Sequence, residues 1–274
     1  METQKNDYET LLKRGLLRPG ERLDDLERNG FQLIQNPNGF RFGMDAVLLS
    51  GFAAVKSGER AVDLGTGSGI LPILLAAKTE AAQLIGLEIQ ADAADMAARS
   101  VQLNGLCGRV VILRGDLKAL LGSETSYPTA GDFWAESSVR LQPGGFDVVT
   151  SNPPYMKADQ GLKNPEEAKA LSRHELLCSL QDVCFAAGRL LRSGGRFYMV
   201  HRPERLTEIL AALTAARLAP KRLRFVHPFA QREANMLLVE AVRDGRAGCR
   251  IEGPLCIFES PGQYTEEVRT LYRF

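Results

Sequence analysis

The sequence predicts an α/β fold that is built on a doubly wound, mainly parallel sheet. From residue 60 onward, short apolar runs alternate with longer segments of helical period, which is the pattern of repeated strand–helix units. A glycine-rich turn over 65–69 links the first of these strands to its helix. Acidic residues stand at the carboxyl ends of the first three strands, the edge at which open α/β sheets bind their ligands.

The composition is that of an ordinary globular chain. Its 274 residues are 45% hydrophobic and 24% charged, with a net charge of +1, and this length is enough to bury a large core. No run reaches the roughly 18 apolar residues that a membrane-spanning helix needs. The first seven residues are polar and mixed in charge, unlike a signal peptide. We therefore expect a cytoplasmic protein without a membrane partner.

The cysteines are odd in number and scattered, with no C-x-x-C pair. They are Cys107, Cys178, Cys184, Cys249 and Cys256. This usage is typical of reduced thiols in a cytosol. We expect neither a disulfide framework nor a metal site.

Residues 1–59 are predicted to form a short N-terminal lid of helix and hairpin. A strand over 31–35 precedes the turn signal Asn36-Pro37-Asn38-Gly39, and 40–42 is its expected hairpin partner. The residues before this strand are predicted to be helical or irregular. An apolar helix then begins at Asp45, which is placed to be its N-cap.

Residues 60–274 are predicted to form the main domain. Strands are expected over 61–64, 84–88, 110–113, 146–150, 196–200, 222–226 and 236–242, and helices over 70–78, 91–103 and 176–191 and after Pro203. The stretch 123–145 has no periodicity, and we interpret it as a flexible insertion.

The fourth of these strands runs directly into Asn152-Pro153-Pro154-Tyr155. Neither proline can extend a parallel ladder, because each lacks an N–H and has a fixed φ. The chain therefore leaves the sheet at its ligand-binding edge. A rigid turn that carries an amide, free carbonyls and an aromatic ring is suited to binding a planar, polar group. The alternative is a rigid strand exit whose tyrosine packs in the core.

The glycines of the turn, Gly65, Gly67 and Gly69, have the spacing G-x-G-x-G between a strand and a helix. Glycine accepts positive φ and lets a ligand approach the backbone closely. Dinucleotide sites favour G-x-G-x-x-G instead. This turn alone is a weak signal for a nucleotide.

Three acidic residues strengthen that signal. Asp63 and Glu88 end the first two strands, and Asp116 follows the third. A carboxylate such as Glu88 can accept the hydroxyls of a ribose, whereas three carboxylates would repel a phosphate-rich ligand. The set suits a nucleoside that carries positive charge. S-adenosylmethionine, with its sulfonium and ammonium groups, meets that description.

Together, residues 63–69, Glu88, Asp116 and the N-P-P-Y turn resemble the class I methyltransferases that methylate amino groups. The resemblance implies a Rossmann-like sheet of seven strands whose last strand is antiparallel. It implies that the glycine turn lies under the methionine part of the cofactor, with Asp63 supporting the turn or the cofactor's ammonium group and Asn152 beside it. It also implies that Glu88 holds the ribose and that Asp116 faces the adenine amino group.

Further segments resemble the bacterial tRNA adenine-N6 methyltransferases that act beside the anticodon. They are residues 21–26, 42–49, 172–175, 200–205 and 262–265. The resemblance runs over nearly the whole chain and implies tRNA as the partner. The stretch 123–145 is longer than the family pattern, so the residues of that rim cannot be assigned by resemblance.

The chemistry expected at the strand end is methyl transfer to an exocyclic amine, which needs no metal. We expect the Asn152 side-chain carbonyl and the Pro153 backbone carbonyl to accept hydrogen bonds from the amine. Holding both protons points the nitrogen lone pair at the methyl group, and such positioning can lower a barrier by up to roughly 7–11 kcal/mol. Tyr155 is expected to stack on the base, as aromatic residues do in single-strand binders.

Basic residues concentrate between residues 189 and 232, where ten Lys and Arg oppose two Glu. If Arg202, Arg205, Lys221, Arg222 and Arg224 share a face, they form a phosphate-binding patch, and a solvated helix face is the alternative. Two roles are open for Asp45, namely contact with the substrate or the cofactor from the N-terminal lid, and helix capping.

Several other functions fit the same motifs. A glutamine methyltransferase of release factors and a guanine-N2 RNA methyltransferase would use the same N-P-P-Y turn. An inactive cofactor-binding subunit is the alternative that is not an enzyme, and a nicotinamide dehydrogenase fits the glycine spacing poorly. His174 and His201 have weak context for a general base. The sequence does not determine the oligomeric state, and a monomer is compatible with it.

Overall fold

The computed structural model describes residues 2–37, 43–122, 140–153 and 178–272. Its N-terminal part contains α1 (Glu2–Lys13), β1 (Arg22–Asp25), β2 (Gln32–Gln35) and α2 (Met44–Phe52). Strands β1 and β2 form an antiparallel pair. The predicted hairpin partner 40–42 lies outside the described residues, and the strand that pairs with β2 is β1, which the sequence did not predict.

The main sheet has seven long strands. They are β3 (Arg60–Leu64), β4 (Gln83–Glu88), β5 (Val110–Arg114), β6 (Phe146–Ser151), β7 (Leu191–His201), β8 (Leu218–His227) and β9 (Met236–Arg243). Their order is β5-β4-β3-β6-β7-β9-β8, and β9 runs antiparallel to both of its neighbours. The predicted fold class, with its antiparallel last strand, is confirmed.

The edge of this sheet continues beyond the seven strands. Two short strands, β10 (Arg250–Ile251) and β11 (Leu255–Cys256), pair parallel to β8. A separate pair, β12 (Phe258–Ser260) and β13 (Gln263–Tyr264), follows them. The sequence did not predict these four strands, because runs of two or three residues carry no measurable period.

Helices cover both faces of the sheet. They are α3 (Ile70–Lys78), α4 (Ala91–Leu103), α5 (Leu180–Leu190), α6 (Leu206–Ala215) and α7 (Glu266–Tyr272). Neighbouring residues of β6 show the alternation: Val149 packs with α5 and α6, whereas Val148 packs with α2 and α3. Burial of each such side chain contributes about 1.5–3 kcal/mol, so the two apolar layers fix the strand ends that carry the polar residues.

Some boundaries differ from the prediction. Strand β7 begins at Leu191 and includes Gly194-Gly195, which were expected to precede it. The pairing with β6 shifts register between Phe146 and Val148, so the glycines lie beside an irregularity in the ladder. The domain boundary between residues 59 and 60 stays a prediction.

Candidate active site

Strands β3 and β6 bring two predicted site segments to one edge of the sheet. They are parallel, with Asp63 opposite Thr150 and Leu64 opposite Ser151. The Ser151 hydroxyl donates to the Leu64 carbonyl at 2.9 Å. Adjacent strands lie about 4.8 Å apart, so Asn152 leaves β6 directly beside the first glycine of the turn. The two halves of the predicted site are therefore neighbours.

The N-P-P-Y turn is only partly described. Asn152 is half-buried and Pro153 is buried. Pro154 and Tyr155 lie outside the described residues, so the predicted stacking role of Tyr155 stays a prediction. Of the predicted insertion over 123–145, the structure describes residues 140–145.

The glycine turn requires left-handed backbone at three positions. Gly65, Gly67 and Gly69 have φ of 71°, 56° and 84°, values that other residues adopt only with strain. A Cβ at either of the first two would meet nothing within 4 Å, whereas a Cβ at Gly69 would lie 3.0 Å from the Ala97 Cβ. The turn therefore leaves open space above Gly65 and Gly67 and packs against α4 at Gly69.

A fourth glycine lets the turn fold back over the sheet. A Cβ at Gly86, in the middle of β4, would lie 2.7 Å from Thr66 Cγ2. The Thr66 amide donates to the Leu87 carbonyl at 3.0 Å. The sequence analysis missed Gly86, although a glycine inside a strand often marks a close approach of another segment.

Asp63 is the most deeply buried acid of the edge. Its side chain is 3% exposed, and Thr150 Oγ1 donates to its Oδ1 at 2.7 Å. Burial raises the pKa of Asp63 to about 7, with a smaller contribution from the charge of Glu88, and the hydroxyls of Thr150 and Thr66 oppose this rise. The residue therefore titrates near neutral pH.

Glu88 fastens the glycine turn to the beginning of α4. One carboxylate oxygen accepts from the Gly67 amide at 2.9 Å, and the other accepts from the Gln90 amide at 2.9 Å. The residue is 5% exposed. Each carboxylate oxygen can accept more than one hydrogen bond, so Glu88 retains capacity for a hydroxyl ligand.

Asp116 stands at the end of β5 and is half-buried. It caps the short 3-10 helix Leu117–Leu121, because its Oδ1 accepts from the Lys118 amide at 2.8 Å. Strands β3, β4 and β5 are adjacent and parallel, so the three acids lie along one edge. Carboxylates in this arrangement, beside an open glycine turn, fit a nucleoside ligand with hydroxyls and positive charge.

The prediction that Asp45 is an N-cap was wrong. Gly43 is the N-cap of α2, and Asp45 lies in the first turn of the helix. Its Oδ1 accepts from the Ala46 amide at 2.9 Å, and its side chain is 9% exposed. A carboxylate in the first turn of a helix interacts favourably with the helix dipole. The predicted substrate contact of Asp45 stays a prediction.

Two arginines of the predicted basic patch form ion pairs with acidic residues of this chain. The Arg224 guanidinium holds Glu267 at 2.6 and 2.9 Å, and Arg222 Nε lies 3.0 Å from a Glu240 carboxylate oxygen. These acids come from outside the stretch in which charge was counted. Membership of Arg222 and Arg224 in a phosphate-binding patch stays a prediction, and both guanidinium groups already hold a carboxylate of this chain.

Arg202 and Arg205 lie at the same edge as Asn152, because β7 is parallel to β6 and ends at His201. Arg202 Nη1 donates to the Asn235 carbonyl at 3.0 Å. Arg205, whose side chain is 14% exposed, pairs with the exposed Glu208 at 3.0 Å. Contact of these two arginines with RNA stays a prediction.

His201 is a buried, neutral histidine. It is 1% exposed, and burial lowers its pKa to about 4, helped by the charges of Arg205 and Arg202 and opposed by that of Glu208. Its Nδ1 accepts from the Arg202 amide at 2.8 Å, which places the ring proton on Nε2. A base this weak does not suit general-base catalysis. His174 lies outside the described residues.

Within the described ranges, no three His, Cys, Asp or Glu residues are grouped so that they could hold a metal ion. None of the helices in those ranges is both long enough and apolar enough to cross a membrane. All five cysteines lie in the described ranges, and they are free thiols.

Comparisons with known proteins bear on this edge. Residues 47–125 match the family model of ribosomal protein L11 methyltransferase. A tRNA1(Val) (adenine(37)-N6)-methyltransferase of Porphyromonas gingivalis is 27% identical over 219 residues, which are 77% of this chain and 77% of that protein. The protein of the same name from Tolumonas auensis is 25% identical over 86% of this chain and 90% of its own length. The chain is a methyltransferase.

A solved structure agrees with this assignment. The crystal structure of a predicted O-methyltransferase from Agrobacterium tumefaciens superposes on the methyltransferase with a TM-score of 0.63. The two are 25% identical, and the match covers 83% of this chain and 95% of the other. The expected enzyme class is confirmed, and so is the resemblance to tRNA adenine-N6 methyltransferases over most of the chain.

Proposed function

We propose that this methyltransferase transfers a methyl group from S-adenosylmethionine to the exocyclic N6 of an adenine in the anticodon loop of tRNA. The observation that carries the proposal is the position of Asn152, which leaves β6 beside the glycine turn and the buried acid Asp63. The names of the two tRNA relatives support adenine 37 as the target.

The donor site consists of the acids and the glycine turn. Glu88 is the proposed ligand of the ribose hydroxyls, since its carboxylate is oriented by two backbone amides. Asp116 is the proposed partner of the adenine amino group. Asp63 supports the turn, and its carboxylate favours the ammonium group of the donor. Gly65 and Gly67 allow the donor to approach the backbone.

S-adenosylmethionine supplies an electrophilic methyl group when it is bound. Asn152 Oδ1 and the Pro153 carbonyl accept hydrogen bonds from the adenine amino group, so that its lone pair points at that methyl group. The bound donor would give its methyl group to this lone pair, and its sulfur would keep the electron pair of the broken S–C bond as a neutral thioether. The nitrogen then loses its extra proton to water, so no strong base is required.

The remaining proposed roles concern the RNA. Tyr155 stacks on the adenine, and stacking of this kind is worth about 1–3 kcal/mol per base. Arg202 and Arg205 contact phosphates at the edge beyond Asn152. Asp45 contacts the substrate from the N-terminal lid of residues 1–59. An anticodon loop suits this site because its bases are unstacked at low cost.

The family model does not choose between acceptors. Its match ends at residue 125, before Asn152, and therefore covers the donor half alone. The tRNA relatives match over most of the chain, and this favours tRNA over a release-factor glutamine as the acceptor. We further propose that the protein acts in the cytoplasm, where its free thiols stay reduced.

Label transfer tests the function. The purified protein is incubated with methyl-labelled S-adenosylmethionine and an unmodified valine tRNA transcript, a transcript with guanine at position 37, or a release factor. We expect label in the first transcript alone, recovered as N6-methyladenosine after nuclease digestion and mass spectrometry. Label in glutamine, label in guanine, or no transfer to any acceptor would overturn the proposal.

A further inference from the structure

Gln35, the last residue of β2, carries a buried side-chain amide. Its side chain is 1% exposed, and within the described residues neither Oε1 nor Nε2 has a hydrogen-bond partner. Nearly all buried polar side chains in folded proteins are hydrogen-bonded, and leaving both ends of an amide unpaired is costly. A polar ligand that binds beside Gln35 would remove this cost.

The path of β2 along α4 defines where that ligand would lie. The Gln32 amide donates to Asn104 Oδ1 at 2.8 Å, and the Ile34 amide donates to Ser100 Oγ at 3.0 Å. Two strand residues advance about 6.6 Å and four helical residues about 6 Å, so strand and helix stay in step. The strand therefore runs towards the amino end of α4, where Glu88 and the glycine turn are found.

Gln35 is one residue beyond Ile34, so it lies beside α4 at approximately the height of Ala97. Gly69 packs against Ala97. Side chains alternate along a strand, so Gln35 points to the same side as Leu33. Leu33 packs in one apolar cluster with Ile70, the first residue after the glycine turn. This places the Gln35 amide on the side of β2 that packs towards α3, the helix that follows the glycine turn.

We propose that Gln35 binds the α-amino acid end of the methyl donor, an inference that rests on the proposed function. Its Nε2 donates to the donor's carboxylate, and its Oε1 accepts from the donor's ammonium group. An amide offers one donor group and one acceptor side by side, and an α-amino acid group is the complementary pair. Glu88 and Asp116 lie at the ends of β4 and β5 instead and face the nucleoside.

Binding of two ligands distinguishes recognition of the amino acid group by Gln35 from a general effect of Gln35 on packing. S-adenosylhomocysteine carries the amino acid group, and 5′-methylthioadenosine lacks it. In Gln35→Met, a substitution of similar volume, we expect affinity for S-adenosylhomocysteine to fall about 10- to 100-fold by titration calorimetry. Affinity for 5′-methylthioadenosine is expected to stay within about twofold. Gln32→Met, on the same strand, is the matched control and should leave both affinities unchanged.

The thermal stability of the free protein gives an independent readout. Because Gln35→Met removes an unpaired buried amide, the Tm without ligand should equal or exceed that of the wild type. Gln35→Asn keeps the amide but shortens its reach, and the same selective loss of S-adenosylhomocysteine binding is expected if Gln35→Met fails to fold.

Equal loss of both ligands, or unchanged affinity for S-adenosylhomocysteine, would overturn the role of Gln35. Failure of the wild type to bind either ligand would instead overturn the proposed donor. The two failures are thus distinguishable.

Discussion

Thr150 donates a hydrogen bond to Asp63 across the two central strands, with 2.7 Å between Oγ1 and Oδ1. Both side chains are buried. The bond joins the end of β3, which continues into the glycine turn, to the end of β6, which continues into Asn152. One buried polar contact therefore links the half of the site assigned to the methyl donor with the half assigned to its acceptor.

The pKa of Asp63 predicts how stability depends on pH. Burial raises this pKa from 3.8 to about 7 in the folded protein, so the folded state binds the proton more tightly than the unfolded state. The associated stabilisation is fully present below about pH 4 and is lost as the pH rises to about 7. Across that window Asp63 lowers the free energy of unfolding by about 1.4 kcal/mol per pH unit.

Asp63→Asn isolates this contribution, because the amide oxygen can still accept from Thr150. Urea unfolding of both proteins at pH 5, 6 and 7 should show a difference in stability that moves in favour of the variant as the pH rises. Taking the difference cancels groups such as His201 that titrate in both proteins. A difference that is constant with pH would show that Asp63 has an ordinary pKa.

Glu88→Gln should weaken donor binding. Glu88 accepts from two backbone amides through separate oxygens, and glutamine replaces one of these oxygens with a group that cannot accept. We expect affinity for S-adenosylhomocysteine to fall by about 10- to 100-fold, as for the loss of hydrogen bonds to a charged group. Calorimetry measures this, with Glu80→Gln on an exposed loop before β4 as the control. Unchanged affinity would remove Glu88 from the donor site.

Reversing Arg202 and Arg205 to Glu should weaken tRNA binding and reduce its salt dependence. If each arginine contacts one phosphate, the slope of log affinity against log salt concentration falls in magnitude by about 2. Filter binding from low to moderate salt measures the slope. Arg217→Glu, at the beginning of β8 on the opposite edge of the sheet, should leave it unchanged. The same slope in all three proteins would exclude the two arginines from the interface.

The helices and strands of the main domain were predictable because local pattern and packing agree. The observed bounds of α3 and α4 are those expected, since glycine turns and apolar periodicity mark their ends. Strand β1 was not predicted, because Arg22-Leu23-Asp24-Asp25 contains a single apolar residue. It is held by pairing with β2, and nearby Glu21 is held by the buried Arg99 through a bidentate ion pair. These contacts join residues far apart in sequence.

The positions of the candidate site residues were more predictable than their surroundings. Glycines and acids at strand ends are visible in the sequence, and the structure brings Asp63, Glu88 and Asp116 to one edge. The Thr150 contact depends on strand register, which the sequence does not reveal. Charge counting did not reveal the ion pair of Arg224, because its partner, Glu267, lies 43 residues away in the chain.

Single-turnover methyl transfer by Asn152→Ala tests the central claim most directly. With donor and tRNA transcript both saturating, rapid-quench measurement should give a rate constant at least about 100-fold below that of the wild type, because the amine is no longer positioned. Affinity for S-adenosylhomocysteine should change little. A rate constant near that of the wild type would contradict the assignment of Asn152 as the residue that holds the reacting amine.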